Sequence, residues 1–289
     1  MIKLLSYIPF SILYLISDFL SFTTYHVVRY RKKTILHNLR TCFPEKSDDE
    51  IRSLAREFYT NLADGIVELV KSFSLNKKDF RVRVKYNNIE VLQDQFDQGR
   101  SVFCMACHLC NWEWMLPGFH SFFSNPIDAI YLPLSGRWSE RLMYKVRSRF
   151  GGYPIPMDRA AREIIKRSKE GARAFALVAD QMPSISQEKY WTTFLGVETS
   201  FFVGGDVLAR MTKSAVVFFG MRRVKRGYYE VDLILLGAPP FKEDKNYLIE
   251  SYVRYLDSYI REYPGTWLWT HKRWQYSKED CERSVQGKS

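Results

Sequence analysis

Ser101-Val102-Phe103-Cys104-Met105-Ala106-Cys107-His108-Leu109-Cys110-Asn111-Trp112-Glu113 runs apolar from residue 102 to 107, then meets a histidine, and only then turns polar. A short unbroken apolar run of this kind predicts a strand covered on both faces. A helix is expected to begin near Trp112. Strand, turn and helix in that order are the repeating unit of an α/β fold.

Outward from this segment the same alternation continues. Ser47-Asp48-Asp49-Glu50 reads as a capping box, and Ile51, Leu54, Phe58, Leu62, Ile66, Leu69 and Phe73 follow at helical spacing. Arg81-Val82-Arg83-Val84-Lys85-Tyr86 alternates with period two and predicts a strand with one solvated face. Residues 127–132 predict a buried strand, and 138–150 a helix before Gly151-Gly152. Asp158 is expected to cap a helix through 169, closed by Gly171. Residues 174–179 predict another buried strand and 205–211 a short helix. Segments 215–221 and 228–236 predict a hairpin around the basic turn Arg222-Arg223-Val224-Lys225-Arg226-Gly227. Leu248, Tyr252, Tyr255, Tyr259 and Ile260 mark a last helix. With no repeat and no linker, the pattern predicts a single α/β domain with helices covering its sheet.

A chain of 289 residues can bury a full core as one domain. Its formal charge of +11 suits nucleic acid, anionic lipid head groups or an acidic carrier protein. There is no zinc-finger spacing, RNP-like aromatic strand or glycine-rich phosphate loop, so nucleic acid is set aside. Residues 4–28 are long enough to span a bilayer as a helix, although Pro9 lies in the first turns and Asp18 near the middle. A cleaved signal peptide is not expected, because the segment lacks a small-x-small site and runs into Arg29, Arg31, Lys32 and Lys33. The positive-inside tendency then places the remainder on the cytoplasmic side. The expected division is a membrane-associated segment over residues 1–28, spanning or lying in the interface, ahead of a domain over 29–289. Five cysteines in such a compartment read as free thiols.

His108 at the carboxyl edge of a strand and Glu113 just past a turn can converge. Open α/β sheets place ligand sites at that edge. A neutral imidazole can take a proton from an alcohol, and a carboxylate can fix its tautomer. Asn111 is placed to cap the helix. The plainer alternative is a histidine satisfying a loop carbonyl and a glutamate on a solvated first turn. Cys104, Cys107 and His108 also have the C-x-x-C-H form of haem attachment, and Cys110 extends it toward an iron–sulfur spacing. In a strand, however, Cys104 and Cys107 leave on opposite faces, and a fourth ligand would have to come from Cys42 or Cys281. Buried thiols acting as small hydrophobes are the expectation.

The chain resembles the bacterial lipid A biosynthesis (late) acyltransferases, within the lysophospholipid acyltransferase group, from near residue 3 to about 275. His108, Asn111, Trp112 and Glu113 match the family's H-x4-D/E motif, commonly written H-x-G-N-W-E, and Cys110 stands where glycine is usual. Glycine there would serve positive φ. Similar blocks are Tyr30-Arg31-Lys32 with Asn38-Leu39 and Cys42-Phe43-Pro44-Glu45, and Tyr131-Leu132-Pro133 with Arg149-Phe150-Gly151-Gly152. Asp180-Gln181, Phe194-Leu195-Gly196 and residues 205–212 form a third. The last is Pro264-Gly265-Thr266-Trp267-Leu268-Trp269-Thr270-His271-Lys272-Arg273-Trp274.

The resemblance implies a mixed sheet covered by helices, as in glycerol-phosphate acyltransferases, and an acyltransferase of the EC 2.3.1 type. It implies transfer of a fatty acyl chain from acyl carrier protein to a hydroxyl of a lipid A precursor at the inner membrane, with no metal or bound cofactor. A lysophospholipid or aminolipid acceptor is the alternative within the class, and a basic membrane scaffold that has lost the chemistry lies outside it. His108 would be the general base and Glu113 would orient it. Arg149 would meet a phosphate or developing charge, or else is a solvated helix-end arginine, and Arg159 is a further candidate that also reads as a helix start. Asp180 and Gln181 would hold the acceptor's polar groups or support the loop. The basic turn at 222–226 would meet the carrier protein or the bilayer, or is a solvated tip.

Overall fold

The computed structural model describes residues 2–185, 187–242 and 244–286. The chain opens with α1 (Ile2–Leu5) and α2 (Phe10–Phe22), which passes into one π-helical turn, Thr23–Val27. Arg29 and Arg31 both adopt left-handed backbone, at φ 53° and 50°. The basic run therefore breaks the helix instead of continuing it. Next come α3 (Lys32–Cys42), α4 (Asp48–Lys71), α5 (Lys77–Arg83), β1 (Val84–Asn87), α6 (Glu90–Asp97) and β2 (Val102–Ala106). A 3-10 turn (Trp112–Trp114) leads into α7 (Met115–Phe119), followed by β3 (Ile127–Tyr131), α8 (Arg137–Ser148), β4 (Gly152–Pro156), α9 (Ala160–Arg167) and β5 (Ala174–Val178). The chain closes with β6 (Lys189–Phe194), β7 (Val197–Phe202), α10 (Gly204–Met211), β8 (Ala215–Lys225), β9 (Tyr228–Gly237), α11 (Tyr247–Glu262) and α12 (Lys278–Gln286).

The capping box at Ser47 and Glu50 forms as the sequence indicates. Two local expectations fail for capping reasons. Asn76 accepts from the backbone of Lys78 and Asp79, and Asp79 returns the bond, so residues 81–83 finish α5 and the strand starts only at Val84. Asp158 does not cap α9; it lies in a 3-10 turn before Arg159, which holds the N-cap place without a side-chain bond.

Seven strands form one sheet in the order β1-β9-β8-β2-β5-β3-β4, and β6 and β7 make a separate antiparallel pair. Every neighbouring pair in the main sheet is parallel except β8 and β9, so the sheet is mixed. All five residues of β2 are buried. Val102, Cys104 and Ala106 enter a core with Phe80, Leu92, Phe96 and Phe119, from α5, α6 and α7. Phe103, Met105 and Cys107 enter the opposite core, with Leu39, Phe58, Ile164 and Leu256 from α3, α4, α9 and α11. This is one α/β domain with helices on both faces.

The hairpin of β8 and β9 runs straight through the basic stretch, and its arginines are engaged. Arg222 pairs with Glu230, Arg223 with Asp64 at 2.8 Å, and Arg226 with both Asp64 and Asp18 at 2.6 Å. Asp64 is fully buried and also accepts from Ser17 at 2.6 Å. The expected solvated tip is thus a clamp that fastens α2 onto α4. Among the described residues no helix is long and apolar enough to cross a membrane.

Candidate active site

Parallel register decides which side chains meet. Ala106 of β2 pairs with Val178 of β5, and His108 and Asp180 each lie two residues beyond that pair. The two chains leave the sheet together, and His108 Nδ1 sits 2.7 Å from Asp180 Oδ1. The backbone N–H of His108 donates to Asp180 Oδ2 at 3.0 Å, and Trp267 Nε1–H donates to the same oxygen at 2.7 Å. Burial alone would raise the Asp180 carboxyl, but His108 and these donors hold it below the usual carboxylate range. An ionised Asp180 only accepts, so Nδ1 carries the proton and Nε2 is left as an acceptor. Gln181 Nε2 lies 3.4 Å from that nitrogen.

Trp267 reaches Asp180 because the C-terminal segment is laced to the histidine loop. Leu268 N–H donates to His108 O, Cys110 N–H to Thr266 O, and Leu109 bridges Trp267. From the other side Asn38 of α3 donates to Trp269 O and His271 O. Trp267 and Trp269 are core residues.

Glu113 takes a different partner from the one expected. Arg147 of α8 grips it with two nitrogens, at 2.6 and 3.2 Å, and Trp112 Nε1–H donates to it at 3.2 Å. The Trp112 ring stands edge-on to His108 at 4.9 Å. Glu113 therefore borders the histidine through Trp112, while Asp180 is the carboxylate in contact with Nδ1. Asn111 does not cap the following turn; its amide donates to the buried Glu68 of α4 at 2.7 Å. Glu68 also accepts from Tyr14 at 2.9 Å and Tyr229 at 2.8 Å, so α2, α4, β9 and the histidine loop share one carboxylate. Cys110 has φ 52°, the left-handed backbone that the family's glycine would take without strain.

Two expected contributors lie elsewhere. Arg149 donates to Ser72 O at the end of α4 and stacks on Phe150, which has left-handed backbone. Arg159 is exposed at the start of α9. The cation beside Glu113 is Arg147, in the last turn of α8, which the sequence reading missed; Arg149 lies past the end of that helix in extended backbone. Cys104 and Cys107 enter opposite cores, so they cannot share a haem or cluster. Burial raises both thiols and pushes Cys110 up to about 12.

A search of curated proteins finds no match. The family profile described as bacterial lipid A biosynthesis acyltransferase matches residues 1–276. The chain belongs to that family and is an acyltransferase, an enzyme that takes its acyl group from a donor and passes it to a lipid acceptor.

Proposed function

We propose that the enzyme moves a fatty acyl chain from the thioester of an acyl carrier protein to a hydroxyl of a lipid A precursor, with His108 as general base. The observation that carries this reading is the Nδ1 contact to Asp180, which leaves His108 Nε2 as acceptor. The acceptor hydroxyl gives its proton to Nε2 while its oxygen attacks the thioester carbonyl. Asp180 then faces an imidazolium and stabilises it. Collapse of the tetrahedral species breaks the C–S bond, and the proton passes from Nε2 to the departing thiolate. To Gln181, whose amide contacts His108 Nε2, we assign the acceptor hydroxyl. Glu113 serves by fixing Arg147, to which we assign the phosphate contact once expected of Arg149.

The same reading puts residues 1–28 in the membrane interface, as an anchoring segment ahead of the domain over 29–289, on the cytoplasmic face of the inner membrane. Its support is the outward side of α2 and the turn after it. Leu15, Ile16, Phe19, Phe22, Val27 and Val28 are exposed there, next to exposed Arg29 and Lys33.

The deciding assay is acyl transfer from acyl carrier protein to a lipid A precursor, on folded and matched samples. General-base catalysis is worth about 10²- to 10⁴-fold, so His108→Ala should lose at least that order in turnover, with donor affinity little changed. Near wild-type turnover in that variant would overturn the mechanism. Equal rates with a lysophospholipid acceptor would overturn the acceptor and leave the base in place.

A further inference from the structure

Past Tyr131, the last residue of β3, the chain shows solvent a run of large side chains. Leu132 is 74% exposed and Trp138 67%, with Leu134 exposed between them. Arg137, Arg141 and Lys145 follow at helical spacing on the outward side of α8, all exposed, and among the described residues none of the three pairs with a carboxylate. The one acid of α8, Glu140, is taken by the loop itself. It accepts from Tyr131 OH at 2.6 Å and from Leu134 N–H at 2.9 Å, which fixes the backbone that displays Leu132 and Leu134. A contiguous apolar patch is rarely left in water without a use. A tryptophan and two leucines among cations, with no free acid, match the head-group boundary of an anionic bilayer. There indole and aliphatic chains enter the acyl layer, and arginine or lysine meets lipid phosphate.

Sheet register sets this patch beside the histidine. Val102 of β2 and Ile127 of β3 both pair with Ala174 of β5, so the three are level. Further along these parallel strands Ala106, Val178 and Tyr131 are level in turn, and His108, Asp180 and Leu132 leave the sheet at one edge. β3 stands two strands from β2, about 10 Å at the usual strand spacing. On the other side of β2, β8 runs parallel past the same edge, from Phe218 opposite Met105 to Lys225. Arg226, just beyond, meets Asp18 of α2. The strand end that carries His108 is thus flanked by α2 on one side and by residues 132–145 on the other.

We propose that residues 132–145 form a second lipid-binding surface, so that, with α2 on the other side, the carboxyl edge of the sheet faces an anionic bilayer. The orientation rests on the interfacial reading of α2, whereas the lipid contact of 132–145 stands on its own residues. Arg147 touches both the Tyr131 ring, at 5.3 Å to its centre, and Glu113, so the patch adjoins the side chains around the histidine. A lipid acceptor then reaches His108 from the head-group layer and keeps its acyl chains in the membrane.

The test is co-sedimentation of the full chain with vesicles of equimolar phosphatidylcholine and phosphatidylglycerol, and with phosphatidylcholine alone. Leu132→Ser with Trp138→Ser should weaken binding to the anionic vesicles about tenfold or more, at low and high salt alike. Arg137→Glu with Arg141→Glu should weaken it several-fold at low salt only, and leave binding to phosphatidylcholine unchanged. All four side chains are exposed, so melting midpoints should stay at the wild-type value. Bromine-labelled lipid should quench part of the tryptophan emission, and that part should be missing in Trp138→Phe, a readout that holds even if the serine pair fails to fold. Wild-type vesicle binding in both pairs, or quenching unchanged in Trp138→Phe, overturns the proposal. So does self-association that needs Leu132 and Trp138 while vesicle binding does not, since the patch is then a contact between copies. Wild-type binding in Leu15→Ser with Phe19→Ser overturns the α2 reading and the orientation together. Weakened binding there, with wild-type binding in the 132–145 variants, overturns this inference alone.

Discussion

At the residue scale two carboxylates lie near one histidine, and the geometry gives them different partners. Asp180 meets Nδ1 directly, while Glu113 spends its charge on Arg147. Asp180→Asn keeps the shape but can offer its amide N–H to Nδ1, which favours the wrong tautomer. It should cost about 10²-fold or more in kcat. Glu113→Gln only loosens the Arg147 fork, and its larger effect should fall on acceptor KM. Steady-state kinetics on both variants decides the assignment; a kcat loss in Glu113→Gln equal to that of Asp180→Asn would return the orienting role to Glu113. Asp180 also ties stability to pH. Its folded carboxyl is held low, so its contribution is complete above the unfolded value near 4 and disappears as pH falls through the lower folded value. His108 and its motif were legible in sequence, and so was the strand end that carries Asp180. The pairing of the two was not, because 72 positions separate them and only the register of β2 with β5 brings them together. The left-handed place of Cys110 was legible through the glycine it replaces.

At the element scale a single buried carboxylate joins parts that local patterns keep apart. Apolar spacing marks α4 as a helix but does not say that Glu68 points inward. Three donors from three elements reach it: Tyr14 of α2, Tyr229 of β9 and Asn111 of the histidine loop. Asn111 looked like a cap because its position before a helix suits one, yet the buried acceptor on α4 took it instead. Glu68→Gln substitutes a donor for an acceptor where three donors converge. Leaving one of them unsatisfied should cost about 1–3 kcal/mol, read as a lower denaturant midpoint at unchanged slope. Turnover should fall as well, since Asn111 lies three residues from His108. Full stability in this variant would show that the network is idle. The period-two reading of 81–86 failed for a similar reason, because the cap at Asn76 and Asp79 outweighed alternation in three residues.

At the scale of the whole molecule, alternating periodicities made the α/β class legible, whereas the fate of the N-terminal segment depended on contacts from residues up to 208 positions away. Asp18 near the middle of that segment is answered by Arg226 of the hairpin, and Ser17 and Tyr14 bind α4. Deleting residues 1–28 would strip partners from Asp64 and Glu68 and unfold the neighbourhood, so it cannot measure anchoring alone. Point changes on the outward side can. Leu15 and Phe19 are each 68% exposed, and burying such a side chain in lipid is worth about 1.5–3 kcal/mol. Each exposed lysine or arginine near an anionic surface adds roughly 1 kcal/mol, screened within a Debye length of about 10 Å at 0.1 M salt. Sedimentation with anionic vesicles should therefore resolve two components. Leu15→Ser with Phe19→Ser should weaken binding at low and high salt alike. Arg29→Glu with Lys33→Glu should weaken it at low salt and lose its effect as salt screens the surface. Leu13→Ser, on the buried side of the same helix, should lower thermal stability and leave vesicle binding of the folded fraction unchanged. If the outward pair binds vesicles as the wild type does, α2 is not the contact, and another exposed apolar stretch, such as Leu132, Leu134 and Trp138 beyond β3, becomes the surface to change next.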